Sequence, residues 1–211
     1  MAASTSAVAP HAGGAGAHQV HHRSGISNPI LGMILFIASE VMFFAGLFAA
    51  YFNVRLTSPE WPPLVNEAEY EPFMLSEHLL LPGILTFILV MSSVTMQLAV
   101  WGIRRGDRTA FLRNTAVTLL LGVIFLAGQL YDYTQLGFGI TDTAFGSTFY
   151  TLTGFHGAHV LGGAIMLSVV LYRGLAGQFS ARHHDAVEAT SLYWHFVDVV
   201  WIVLFSTLYL L

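Results

Sequence analysis

The sequence predicts an all-α membrane protein: five transmembrane helices in one bundle, with the N-terminus cytoplasmic and the C-terminus external. Three observations predict it. Of 211 residues, 55% are hydrophobic and only 9% charged, against roughly 25% charged in a soluble domain. Five apolar stretches, 29–52, 79–103, 114–136, 147–172 and 190–211, each reach the ~20 residues needed to cross ~30 Å of hydrocarbon. The basic residues, all arginine, are divided unevenly between the two sides these stretches define: Arg23, Arg104, Arg105, Arg108, Arg113, Arg173 and Arg182 fall on one, and Arg55 alone on the other. The arginine-rich side is read as cytoplasmic by the positive-inside rule.

Residues 1–28 precede the first span. They are rich in Ala and Gly, carry His11, His18, His21 and His22, and show no basic segment leading into an apolar one, so they do not read as a secretory signal peptide. Such a segment buries too little apolar surface to offset its ordering entropy and is expected to be a flexible tail. Its histidines have no pre-shaped coordination geometry to offer a metal. Residues 29–211 form the transmembrane domain. After span one comes a long connection with Glu60, Glu67, Glu69, Glu71 and Glu77 beside Trp61, Pro62, Pro63 and Pro72; a connection of that length is expected to be ordered by partners or by the membrane surface. Spans two and three are joined by the four-arginine segment, spans three and four by a short external loop, and spans four and five by a segment holding Arg173 and Arg182. There is no cysteine, which excludes disulfides, thiolate metal sites and haem attachment through C-x-x-C-H. The net charge of −4 says little about partners, and no nucleic-acid partner is expected.

The polar residues inside the spans are the candidates for function. At 1.5 Å per residue, Glu40 lies roughly 16 Å from the cytoplasmic start of span one, near the midplane. On span four, His156 and His159 lie about 14 and 18 Å from the external end; on span five, His195 and Asp198 lie about 8 and 12 Å from the cytoplasmic end. Glu40 thus matches His156 in depth and His159 matches Asp198, while Asp132 sits near the external end of span three. Carboxylates so placed usually face the bundle interior or a wet cavity. For Glu40, two readings stand side by side: a neutral carboxylic acid holding helices together, and a proton-handling group, as in membrane pumps. Asp198 and Asp132 are further buried carboxylates of the same kind. His156, His159, His195 and Asp198 read as an interhelical polar network, with His159 to Asp198 as its natural pair. Gly154, Gly157, Ala158, Gly162 and Gly163 make span four suited to close approach of a neighbouring backbone. A single haem between His159 and His195 is the competing reading.

The runs SEVMFFAGLFAAYF, TGFHGAHVLGG and SLYWHFVDVVW together resemble subunit III of the haem–copper oxidases, over roughly residues 30–211. The resemblance implies the five-span form of a subunit whose longer members have seven spans. It places Glu40 on the family's buried, carbodiimide-reactive glutamate, and Asp132, in QLYDYTQL, where longer members tend to carry Glu. It further implies an accessory subunit of a bacterial inner-membrane terminal oxidase that reduces O2 to water and pumps protons. The haem and copper would lie in partner subunits, with no cofactor and no metal in this chain. Subunits I and II and membrane lipids, bound phospholipid among them, would be its neighbours, and it would stabilise subunit I and support proton uptake. The electron donor is cytochrome c in an aa3-type enzyme or quinol in a bo3-type one. Glu at position 40, where the quinol form used for comparison has Asp, favours cytochrome c. Outside the family, a small proton-coupled transporter would need a substrate site at a broken helix near the midplane, and no span has an interior proline; a b-type cytochrome would be coloured when purified alone.

Overall fold

The computed structural model describes residues 26–58 and 79–210; the histidines of the tail, Arg23 and the acidic connection after span one lie outside the described residues. The fold is all-α. Its helices are α1 (Asn28–Thr57), α2 (Leu80–Arg104), α3 (Arg108–Gln135), α4 (Ala144–Leu175) and α5 (Asp185–Phe205), the last continued by a π-helical turn, Ser206–Leu210. All five are long and apolar enough to cross a membrane. Helices α1, α3, α4 and α5 run past the apolar stretch that announces them at one or both ends, because backbone hydrogen bonding continues into the polar flanks where hydropathy has already fallen, whereas α2 matches its stretch to within one residue.

Local signals set the ends. Pro29 stands in the first turn of α1, where its missing N–H costs nothing. Asp107 caps α3 by accepting from Ala110 N at 2.9 Å, and Thr143 caps α4 by accepting from Gly146 N at 2.9 Å; each satisfies a donor the helix cannot. The tight α2–α3 turn passes through Gly106 at φ 78°, a left-handed conformation that suits glycine. Just before it, Gly102 lets α2 and α3 touch: a Cβ there would fall 2.8 Å from Phe111 N.

Helices α2, α3, α4 and α5 form a ring in which each packs on the next and α5 closes on α2, whereas α1 lies outside the ring against α4 and α5. Accordingly, α5 is the most buried span and α1 the least. Trp194 of α5 occupies the ring's centre. It is 1% exposed, its indole N–H donates to Ser92 Oγ of α2 at 2.9 Å, and its six-membered ring lies against Gly122 of α3 and Gly163 of α4. The small residues of α4 therefore admit side chains rather than the backbone expected from the sequence: Gly163 admits Trp194, and Gly157 the amide of Gln129.

At the arginine-rich end the α2–α3 and α4–α5 connections are tied together. Arg108 donates to the carbonyls of Gly174 (3.3 Å) and Leu175 (2.7 Å) at the end of α4. Glu188 Oε1 accepts from Arg104 Nε at 2.8 Å and lies 2.9 Å from His184 Nε2.

Candidate functional site

Glu40 meets His159, not the residue of matching depth. Its Oε2 lies 2.9 Å from His159 Nε2, across the seam where α1 lies on α4, and the two side chains are 19% and 14% exposed. The expected His159–Asp198 pair does not form. Depth alone misassigned the partner because it ignores which way a side chain points. His156 and His159 are three residues apart on α4, and the 60° between them is enough to send His156 into the ring and His159 towards α1, which lies outside it.

The hydrogen-bond geometry restricts the protons. His159 Nδ1 lies 2.6 Å from Phe155 O. A carbonyl can only accept, so Nδ1 carries its proton, and a neutral imidazole then offers Nε2 as an acceptor. One proton is shared along the Glu40–His159 contact: on Glu40 the pair is acid and imidazole, on His159 carboxylate and imidazolium. Either way the pair's net charge is zero. Phe43 and Phe44 flank the imidazole, with ring centroids 6.3 and 4.9 Å away, and Tyr193 donates to His159 O at 3.1 Å. In such apolar surroundings separated charge is costly, which favours the neutral arrangement.

The other candidates fall into separate groups instead of one network. His156 is fully buried, stacked on Trp201 at 4.9 Å and edge-to-face with Phe125 at 5.8 Å; neither ring nitrogen has a hydrogen-bond partner among the described residues. Trp201 itself donates to Thr86 Oγ1 of α2 at 2.9 Å. His195 Nδ1 lies 3.1 Å from Ser93 Oγ of α2, and Asp198, 6% exposed, has its Oδ1 without a hydrogen-bond partner among the described residues. Asp132, 6% exposed, accepts from Tyr209 of the π-helical turn at 3.4 Å. Sequence reading missed Ser92, Ser93, Thr86, Gln129 and Tyr193. A hydroxyl or amide in an apolar run does stand out, but only the packed bundle says which aromatic or histidine reaches it. Among the described residues no three His, Asp or Glu side chains come together as a metal site.

Residues 5–211 match the family model described as cytochrome c oxidase subunit III. The chain belongs to that family. Among curated relatives it is 45% identical over 183 residues to cytochrome c oxidase subunit 3 of Synechocystis sp., covering 86% of this chain and 75% of that one. It is 42% identical over 201 residues to the probable cytochrome c oxidase subunit 3 of Nocardia farcinica, covering 93% and 95%. To the carp protein, Cyprinus carpio cytochrome c oxidase subunit 3, it is 40% identical over 200 residues, covering 92% and 74%. As a cytochrome c oxidase subunit III, the chain is a multi-pass membrane protein and a subunit of a terminal oxidase complex.

Proposed function

We propose that this subunit III is an accessory subunit of an aa3-type cytochrome c oxidase in a bacterial inner membrane, with its N-terminus cytoplasmic. It packs beside subunit I, supports proton uptake, binds phospholipid and keeps the oxidase active through repeated turnover. Haem and copper belong to the partner subunits, which transfer electrons from cytochrome c to O2. The observation that carries the reading is the Glu40–His159 contact at 2.9 Å: a pair holding one proton at zero net charge can reside in an apolar seam and still exchange that proton. Lipid binding is supported by an apolar groove of about 260 Å³ between α1 and α5, lined by Phe44, Phe48, Phe196 and Val200 among others. The names of the relatives support cytochrome c as donor over quinol.

Isolating the native complex tests this. Its subunits should include this chain, its reduced-minus-oxidised spectrum should show a-type haem, and it should oxidise cytochrome c. A complex that oxidises quinol and leaves cytochrome c untouched would replace the donor, and one without any haem–copper centre would overturn the reading.

A further inference from the structure

A second groove, of about 300 Å³, runs between α3 and α4, away from the α1 seam and lined by Leu126, Leu130, Leu161 and Gly154 with Gln129 and Gly157 at its floor. Its polar groups obey a strict donor count. Gln129, 5% exposed, donates from Nε2 to Thr153 O at 2.8 Å and to Tyr133 Oη at 3.1 Å. Tyr133 donates to Thr153 Oγ1 at 2.7 Å, and Thr153 Oγ1 donates to Phe149 O at 2.7 Å. Because Thr153 O can only accept, the amide's orientation is fixed and both of its protons are committed. Every side-chain proton of the network is used internally, and Gln129 Oε1 remains as an acceptor. It lies over Gly157, where a Cβ would come within 3.0 Å of it, so the absence of a side chain at 157 leaves room around this oxygen.

We propose that the α3–α4 groove binds a hydroxyl-bearing apolar molecule of the membrane, its body along Leu126, Leu130 and Leu161 and its hydroxyl donating to Gln129 Oε1. A molecule offering only carbonyl oxygens finds no donor there, and a hydrocarbon leaves the acceptor unsatisfied.

The test is photolabelling of the full chain in its native membranes with three diazirine-bearing C8 probes: an alcohol, the matching ketone and the matching alkane. The alcohol should label Leu126, Tyr133 and Leu161 about fivefold more than the other two, the ratio expected of one ordinary hydrogen bond. Gln129→Leu should bring the three probes to parity. Gly154→Leu, at a position where a new Cβ meets nothing within 4 Å, leaves the network untouched while filling the groove, and should lower labelling at Leu126 and Leu161 by all three. Equal labelling by alcohol and alkane in the unmodified chain would overturn the proposal, as would alcohol labelling unchanged by Gly154→Leu. If Gln129→Leu fails to accumulate, the probe ratios and Gly154→Leu still decide.

Discussion

Glu40 on the outermost helix and His159 on α4 are joined at 2.9 Å, and the bond from His159 Nδ1 to Phe155 O leaves a single proton for the two of them. Infrared difference spectroscopy should therefore show a protonated-carboxyl band that disappears in Glu40→Gln and shifts in His159→Gln, where an amide replaces the imidazole acceptor. An imidazolium signature lost in the same variants would place the proton on His159 instead. Glu40→Gln keeps a donor for Nε2 and should leave assembly intact. A double-mutant cycle should give a coupling in the range of intramembrane hydrogen bonds, about 0.6 to 1.7 kcal/mol.

Trp194 leaves no space at the two glycines it touches. A Cβ on Gly122 would lie 2.5 Å from its ring and one on Gly163 2.7 Å. Gly122→Ala and Gly163→Ala should each destabilise the bundle by about 1 to 3 kcal/mol, the usual cost of overpacking. Thermal denaturation in detergent would measure this, with Gly154→Ala as a silent control because its site is open.

The Trp201–Thr86 hydrogen bond holds the indole that stacks on His156. Thr86→Val conserves shape and removes the acceptor, so it should cost about 1 kcal/mol and alter the Trp201 fluorescence. Trp201→Phe should have the larger effect, since it also removes stacking area from a fully buried imidazole.

At the arginine-rich end, Glu188 bridges Arg104 and His184 with side chains 23%, 51% and 14% exposed. An ion pair open to solvent contributes little, so Glu188→Gln should cost less than about 1 kcal/mol, and the difference should shrink in high salt. Denaturation at two ionic strengths checks both statements.

An oxidase lacking this subunit should keep its haem and copper spectrum and begin turnover at a normal rate, then lose activity over successive cycles. Oxygen consumption followed over thousands of turnovers would separate initial rate from persistence. A lost haem band or an absent first turnover would show that this chain carries redox chemistry.

Five helices could be read from hydropathy because the bilayer demands a long apolar run from each, and the family could be read from YWHFVDVVW and GFHGAHV, whose residues are distinctive as strings. The partner of Glu40 could not. Depth along a helix follows from counting residues, but orientation around it depends on which neighbours lie where, and no pattern in span one says that α1 stands outside a ring of four. The same gap explains why sequence groups His156 with His159 and gives no sign that His195 reaches Ser93.

That α1 stands outside the ring also sets an order of events during synthesis. Helix α1 is made before the α4 and α5 it packs on, and the partner of Glu40 is 119 residues further along the chain. At about 5 to 20 residues per second, roughly 6 to 24 s separate the arrival of the carboxyl group from that of its imidazole. Through that interval α1 waits in lipid with a carboxyl group whose partner does not yet exist, a placement that carries the cost of an unmatched polar group within a span. The contact between α1 and α4 can then form before α5 arrives to close the ring on α2.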